Sequence, residues 1–459
     1  MSKFRIFHSK EVEDVEHVYH TTLEHKVKGL VTPFQEFMSR QVTASIFLLV
    51  CTIAALTWSS IPVISSWYTD FVKISIGFHI SDFMISEPLH FWVNEVLLTF
   101  FFFLIGIEIK REFLVGELAN YKIAIFVLFG AIGGMLIPAS IYFILNMGTQ
   151  NQLGWGIPMA TDTAFALGVL TFFKNKLPEG VFTFIVALAI IDDIGAILVI
   201  AIFYTAHVNI LLLFTASLLV ALLALFNYAG FRKPFIYIAI GLLVWLAIEG
   251  SGIHGAISGI LVALIIPSRP EKGPREFIKK AKTLLRYFEK KEKTFPVLED
   301  KEQHSVFEKM QEISKQATTP LQRWESKLEL PIALLVLPIF AFVNAGIPVN
   351  FHLLDNAFTN RVSLGIILGL VVGKPVGVLL FSRIALWCNL GMMPDKTRFN
   401  QLVGASILTG IGFTMSLFMS NLVFFTGHTL LMAKAGILFS SIIAAILGIL
   451  FILFSKKRR

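Results

Sequence analysis

The chain has 459 residues, of which 55% are hydrophobic, and its mean hydropathy is +0.74. This composition predicts a polytopic membrane protein and excludes an ordinary soluble domain. The two cysteines, Cys51 and Cys388, exclude a disulfide framework and a cysteine-based metal site. The net charge of +8 is concentrated in loops between apolar runs, so it indicates membrane topology and not a nucleic-acid partner.

Residues 1–40 are charged and contain several histidines, unlike a secretory signal peptide, so we expect a cytoplasmic N-terminal segment. Hydropathy then predicts an all-α membrane protein of about twelve spans: spans one to eight in 41–267 and spans nine to twelve in 331–454. A charged cytoplasmic loop, 268–330, separates the two groups, and a basic cytoplasmic tail, 455–459, follows. The predicted spans are centred near Val50, Phe102, Gly130, Phe165, Ile191, Leu218, Leu242, Leu261, Leu337, Val371, Phe413 and Ile446.

The basic residues favour this topology, because they occur in every second loop. If the N-terminus is cytoplasmic, the outer loops hold Lys73 and little else, with Arg361 and Lys434 at span edges. The inner loops hold Lys110, Arg111, Lys174, Lys176, Arg232, Lys233, the stretch 269–327, Lys396, Arg398 and the tail.

Residues 71–86 alternate between apolar and polar side chains around Gly77, which predicts a β-hairpin on the outer face. The loop 268–330 is charged but carries apolar residues at helical spacing between Phe277 and Phe288. We interpret this loop as cytoplasmic amphipathic helices in a solvated linker that lies on the lipid surface.

The fourth span contains Pro158 and the polar triplet Thr161, Asp162 and Thr163. Proline interrupts a helix, and aspartate and threonine cap the freed backbone groups, so this span is predicted to be broken. The fifth span carries Asp192 and Asp193 within an otherwise apolar run. Burying such charges in a bilayer is costly, so we expect the pair to bind protons or a cation.

The tenth span carries Lys374 between Gly373 and Gly377. A lysine within a membrane span must pair with an opposite charge, face water or lose its proton. A phosphate-binding loop is excluded there, because Pro375 replaces the required hydroxyl residue and position 368 is leucine. The eleventh span, with Gly410, Gly412 and Thr414, is a second predicted break.

The two predicted breaks lie in matching places. Each is the middle of three spans, within 121–204 and within 361–454, and the predicted topology gives the two units opposite orientations. Inverted three-helix repeats with interrupted central helices are typical of secondary transporters.

Five motifs, and the chain from about residue 40 to its end, resemble the NhaA sodium/proton antiporters, a known example of the inverted repeat. The motifs are ATDTAFALGVL (160–170), ALAIIDDIGA (187–196), FAFVNAG (340–346), GKPVG (373–377) and GIGFTMS (410–416).

This resemblance implies a multi-pass exchanger in the bacterial inner membrane. Asp192 and Asp193 would bind Na⁺ or Li⁺ in exchange for two protons, and Thr161 would lie near the ion. Asp162 and Lys374 would offset the partial charges of the helix ends where the broken spans cross. Asp162 would also belong to the ion-binding and proton-exchanging site, and Lys374 would either compensate charge or take part in the proton exchange.

The resemblance also associates Glu108, His254 and Glu325 with pH regulation, and it implies a homodimer formed through the hairpin 71–86. The sequence departs from the family in two places. The stretch 270–322 is longer than in compact members, and no histidine follows Glu325 within the next six residues.

The chemistry of the residues leaves alternatives open. Protons and a cation competing for one carboxylate pair, with access from alternating sides, would give exchange without ATP or a bound cofactor. A proton- or sodium-coupled solute symporter would need a larger polar cavity. An intramembrane aspartyl protease would need two aspartates that face each other. Asp192 and Asp193 cannot do so alone, because neighbours on one helix point about 100° apart. Asp162 could serve as the partner of one of them. We therefore expect a transporter and not an enzyme.

Overall fold

The structure is a computed structural model that is mostly helical and contains one two-stranded sheet. It describes residues 41–454 apart from 81–82, 174–175, 206–207, 291–300, 395–396 and 425–426. The predicted N-terminal segment, 1–40, and the basic tail, 455–459, lie outside the described residues.

From Gln41 to Ile265, the described residues form ten α-helices, two strands and three shorter helical segments. In order these are α1 (Gln41–Ser60), α2 (Ser65–Lys73), β1 (Ser75–Ile80), β2 (Phe83–Pro88), α3 (Leu89–Phe91), a π-helical segment (Trp92–Leu97), α4 (Leu98–Val115), a 3₁₀ turn (Glu117–Ala119), α5 (Tyr121–Leu145), a 3₁₀ segment (Gln150–Met159), α6 (Thr163–Thr171), α7 (Glu179–Phe203), α8 (Ile210–Tyr228), α9 (Pro234–Gly250) and α10 (Ala256–Ile265).

In the second part of the chain, all regular secondary structure among the described residues is helical. In order it contains α11 (Pro274–Lys290), α12 (Lys301–Ala317), α13 (Pro320–Pro331), a π-helical segment (Ile332–Val336), α14 (Leu337–Ala345), α15 (Phe351–Thr359), α16 (Arg361–Leu368), a π-helical segment (Gly369–Gly373), α17 (Lys374–Trp387), α18 (Phe399–Leu408), α19 (Phe413–Val423) and α20 (His428–Phe454).

Within the described residues, nine helices are long and apolar enough to cross a membrane, and the bent pair α18 and α19 makes a tenth. At the predicted spans near Leu242 and Leu261 the structure has α9 and α10, of 17 and 10 residues, shorter than an ordinary span of about 20 residues. The prediction of a multi-pass helical membrane protein is confirmed, whereas the count of twelve spans stays a prediction.

The predicted hairpin is present as β1 and β2, which pair antiparallel from Ser75 opposite Pro88 to Ile80 opposite Phe83. Its lower boundary was wrong, because residues 71–73 belong to the helix α2. Gly77 lies inside β1, opposite Ser86, and not at the turn. The position of the hairpin on the outer face stays a prediction.

The charged loop contains two helices, α11 and α12, as the apolar spacing predicts. The helix that includes the predicted ninth span begins at Pro320, earlier than residue 331. A capping box explains this start. The Thr319 side chain accepts a hydrogen bond from the backbone N–H of Gln322, and the Gln322 side chain accepts one from the backbone N–H of Thr319. Glu325 therefore lies inside this helix and not in a loop before it.

Helix α5 belongs to the first predicted repeat unit, and helix α17 belongs to the second. The two helices touch at two glycines. A Cβ atom added to Gly377 would lie 2.0 Å from the carbonyl oxygen of Gly133, and one added to Gly133 would lie 2.2 Å from that of Gly377. Larger residues would force the backbones apart, so the glycines allow the approach that brings Lys374 to the centre of the bundle.

We predict that removing α11 and α12, by joining Ser268 to Leu321 through a short flexible linker, leaves the bundle folded. The backbone N–H of Leu321 donates to the carbonyl oxygen of Pro267 at 3.3 Å, so the two ends are already adjacent. Shortening a loop changes stability by about 1 kcal/mol or less. Thermal unfolding in detergent measures this.

The matched control is Leu321→Ala in the full chain, which empties a buried position (3% exposed) and should cost about 2–5 kcal/mol. A deletion that loses as much stability as this control, or that fails to insert, would contradict the prediction.

Candidate functional site

The two interrupted helices meet in the interior of the bundle. The chain leaves its 3₁₀ segment at Met159 and begins α6 at Thr163, and α18 and α19 are bent by 48° about residues 409–412. The backbone N–H of Asp162 donates to the carbonyl oxygen of Ile411 at 2.7 Å, which joins the two breaks directly. Both breaks predicted from the sequence are therefore present.

The first half of the fourth span is a 3₁₀ segment, a form that the sequence did not predict. The Tyr204 hydroxyl holds this segment, because it donates to the carbonyl oxygen of Leu153 at 2.6 Å and accepts from the N–H of Gly156 at 3.2 Å. Burial raises the pKa of Tyr204 to about 12, so this phenol remains a neutral donor at physiological pH.

Asp162 lies at the N-termini of two helices. Its Oδ1 accepts from the N–H of Phe165 in α6 at 3.1 Å. Its Oδ2 accepts from both the N–H of Thr414 in α19, at 2.9 Å, and the Thr414 hydroxyl, at 2.6 Å. Helix N-termini carry partial positive charge, so this buried carboxylate is stabilised by both helices and ties them together.

Asp192 and Lys374 form an ion pair whose side chains are fully buried, with Oδ2 and Nζ 2.8 Å apart. The lysine also donates to the carbonyl oxygen of Met159, at the end of the 3₁₀ segment. The positive charge of Lys374 therefore meets both the carboxylate and the partial negative charge of a helix C-terminus. Removing water from such a pair is costly, and each partner would be destabilising alone.

Thr161 connects this ion pair to the second broken helix. Its hydroxyl oxygen lies 2.9 Å from Oδ2 of Asp192 and 3.1 Å from the carbonyl oxygen of Thr409. Both of these atoms accept hydrogen bonds when Asp192 is ionised, and a hydroxyl has one proton to donate. The hydroxyl therefore serves one acceptor well at a time.

Asp193 is buried beside this cluster. Among the described residues, Oδ1 of Asp193 and Oδ1 of Asp192 are buried side-chain oxygens without a hydrogen-bond partner. Such atoms are rare in folded proteins and are expensive in an apolar interior. The pair of aspartates therefore presents unused oxygen ligands in the middle of the bundle.

The structure brings Thr161, Asp162, Asp192 and Lys374 together, with Asp193 next in sequence to Asp192. It places the three candidates for pH regulation in other clusters. Glu325 accepts a hydrogen bond at 2.6 Å from Arg111, which also lies 3.0 Å from Glu112. Glu108, one turn earlier on the same helix, is an electrostatic neighbour of this group.

His254 belongs to a separate buried cluster. Its Nε2 lies 2.9 Å from Oε1 of Glu95, and its ring lies edge-on to Phe418 of α19 at 4.9 Å. Glu249 is an electrostatic neighbour of Glu95 and accepts from the N–H of Gly255 at 2.9 Å.

Sequence reasoning missed Glu249 and three backbone carbonyls of the site, those of Met159, Thr409 and Ile411. A signal for Glu249 exists, since it is the one charged residue among residues 234–250. The carbonyls have no signal in residue type, because they reach the site only through the geometry of the helix breaks.

The fold and this cluster define a class of protein: a helical membrane transporter with a carboxylate pair buried among broken helices. The comparisons identify the family. The family model described as "Na+/H+ antiporter 1" matches residues 35–452. The chain belongs to this family, whose members are transporters and not enzymes.

Several curated relatives match nearly the whole chain. The Na(+)/H(+) antiporter NhaA 1 of Shewanella denitrificans is 42% identical over 437 residues, which cover 95% of this chain and 97% of the relative. The Na(+)/H(+) antiporter NhaA 2 of Psychromonas ingrahamii is 40% identical over 446 residues, 97% of this chain and 93% of the relative. The Na(+)/H(+) antiporter NhaA of Sulfurimonas denitrificans is 37% identical, with 93% and 96% covered.

We predict that Lys374→Met destabilises the folded protein by about 3–5 kcal/mol, because the buried Asp192 carboxylate loses its counter-charge. Adding Asp192→Asn removes that charge and should restore most of the loss. Thermal unfolding of the single and double variants in one detergent gives the comparison.

Lys434→Met is the matched control, because Nζ of this half-buried lysine donates to the carbonyl oxygen of Asn344, at 2.8 Å. Asp192→Asn should not rescue it. If Lys374→Met with Asp192→Asn is no more stable than Lys374→Met alone, the ion pair does not carry the stability assigned to it.

Proposed function

We propose that this chain exchanges cytoplasmic Na⁺ or Li⁺ for external H⁺ across the bacterial inner membrane, with Asp192 and Asp193 as the shared binding site. Membership of the Na⁺/H⁺ antiporter family supports the exchange. The observation that supports the site is the buried aspartate pair with two oxygens that have no partner among the described residues.

Na⁺ is a hard cation and binds oxygen ligands. Within the described residues, no group of three or more histidine, cysteine, aspartate and glutamate side chains is arranged to hold a metal ion. A Na⁺ ion between Asp192 and Asp193 would therefore take its remaining oxygens from the Thr161 hydroxyl, from nearby carbonyls or from water.

Competition for the same oxygens turns this site into an exchanger. Each carboxylate would bind either a proton or Na⁺, and the Lys374 ammonium lies 2.8 Å from Oδ2 of Asp192. Cation binding weakens that ion pair, and protonation of Asp192 releases it in the same way. A lower pH favours the protonated carboxyls, so it weakens Na⁺ binding.

Charge balance gives the direction of transport. Two protons moving in for one Na⁺ moving out carry one net positive charge inward. A membrane potential that is negative inside drives this step by roughly 2.3 kcal/mol per 100 mV. The exchange therefore needs no ATP.

Access from alternating sides would come from the two three-helix units. Helices α5 to α7 and α16 to α20 place an interrupted helix in the middle of each unit, and the basic loops give the units opposite orientations with both termini in the cytoplasm. The hydrogen bonds of Asp162 to both units would keep the breaks in register as the units move.

Three further proposals concern residues outside the ion site. The cluster of Glu108, Arg111 and Glu325 joins α4 to the helix beginning at Pro320, and His254 contacts α19. Through these contacts, the cluster and His254 would change the positions of the helices when the pH changes. The hairpin of β1 and β2 is a two-stranded ribbon, whose edges suit pairing with the hairpin of a second copy.

We predict that Asp192→Asn and Asp193→Asn each reduce Na⁺-dependent proton movement by roughly 10–100-fold or more, because even indirect changes at ion sites cost this much. Both variants should still insert and fold. Dequenching of a pH dye in proteoliposomes measures the exchange. Asp70→Asn, at an exposed position on α2, is the control and should leave it unchanged. Full exchange by both site variants would remove the basis of the assignment.

We also predict that the exchange is electrogenic. Adding Na⁺ to one side of a proteoliposome should generate a potential, which a potential-sensitive dye reports. Valinomycin with K⁺ on both sides removes this potential and should accelerate the initial rate. An unchanged rate would mean that equal charges cross in each direction, and that one aspartate or Lys374 has been assigned the wrong part.

A further inference from the structure

The helix α11 presents an unusual surface in the loop between α10 and α13. Ile278 and Leu285 are 50% and 51% exposed, and their spacing of seven residues places them on one face, two turns apart. Phe277, Ala281 and Leu284, on the adjoining face, are half-buried. The helix therefore has one half-buried apolar strip and a second strip that is more exposed.

The helix α12 packs against α11. The ring of Phe288 lies edge-on to that of Phe307 at 5.5 Å. The backbone N–H groups of Glu271 and Lys272 both donate to the carbonyl oxygen of Gln316 at 3.0 Å, which closes the pair of helices at its base. This contact accounts for one apolar strip of α11 but not for Ile278 and Leu285.

Four basic residues lie beside the exposed strip. Arg275, Lys279, Lys282 and Arg286 follow the spacing i, i+4, i+7, i+11, so they form one stripe, and all four are exposed. The single acidic residue from 274 to 288 is Glu276, about 100° around the helix from Arg275. Its carboxylate lies 3.0 Å from Lys280 and 3.5 Å from Lys272.

The unit is held near the membrane at both ends. It follows α10 and precedes the helix that begins at Pro320, which is long and apolar enough to cross a bilayer. The hydrogen bond between Leu321 and Pro267 brings these two attachment points together. An amphipathic helix fixed at this height lies next to lipid headgroups.

We propose that α11 is a membrane-surface helix that binds anionic lipid headgroups through Arg275, Lys279, Lys282 and Arg286, with Ile278 and Leu285 entering the acyl-chain boundary. Charge complementarity selects this occupant, because anionic headgroups match a stripe of exposed basic residues next to an apolar strip. The inference needs only that the chain spans a membrane, so it stands apart from the proposed ion exchange.

The test uses the full chain with Cys51→Ser and Cys388→Ser, reconstituted in vesicles of phosphatidylcholine alone or of equal parts phosphatidylcholine and phosphatidylglycerol. An environment-sensitive fluorophore is attached at Ile278→Cys, or at Thr283→Cys, an exposed position on the opposite side of α11. Lipids that carry a nitroxide on the acyl chain quench only a fluorophore that reaches them.

We expect strong quenching at position 278 in the anionic vesicles, weaker quenching in phosphatidylcholine, and little at position 283 in either. Each basic residue near the surface strengthens the attraction roughly fivefold, so Lys279→Gln with Lys282→Gln should lower the anionic preference, as should high salt. The matched pair Lys309→Gln with Lys315→Gln, exposed on α12, should not.

Equal quenching in both vesicles, or none at position 278, would overturn the proposal. A blue shift at position 278 without nitroxide quenching, which grows with protein density, would instead mean that a second copy covers the strip. These readouts involve no transport, so loss of exchange in another variant leaves them unaffected.

Discussion

The ion pair between Asp192 and Lys374 is the contact on which the centre of this structure depends. A charge in the interior of a membrane protein needs a partner, and here each partner also engages the first broken helix. Lys374 reaches the carbonyl oxygen of Met159, and Asp192 lies beside the Thr161 hydroxyl. The close approach of α5 and α17 at their glycines makes this reach possible.

Asp162 has the role opposite to that of Lys374 at the helix ends. Its carboxylate meets the N-termini of α6 and α19, while Lys374 meets a C-terminal carbonyl group. The opposite partial charges of the broken helix ends are therefore matched by opposite side-chain charges. Oδ1 of Asp192 and Oδ1 of Asp193 have no hydrogen-bond partner among the described residues, and in the proposed exchange they are the oxygens that bind the transported ions.

Much of this arrangement could be predicted from the sequence, because bilayer-length apolar runs and polar residues inside them are strong signals. The features that could be predicted in this way are the membrane-spanning helices, the two breaks and the central aspartates. The cost of burying Asp192, Asp193 and Lys374 shows that they need partners, but it does not identify those partners.

The features that were missed depend on contacts between distant segments. The 3₁₀ form of residues 150–159 requires Tyr204, and the early start at Pro320 follows from a capping box whose polar sequence looks like a loop. Glu95 lies before α4, Glu249 lies in α9 and His254 lies in the turn before α10, and no single stretch of sequence shows that these residues meet.

The central claim is that protons and Na⁺ compete for Asp192 and Asp193, and proton release on Na⁺ binding tests it most directly. Purified protein in a weakly buffered detergent solution, at a pH where the site is still partly protonated, should acidify the solution when Na⁺ is added. The release should saturate with Na⁺ and vanish in the variant with both Asp192→Asn and Asp193→Asn. Saturable Na⁺ binding without proton release, or equal release by the double variant, would contradict the account.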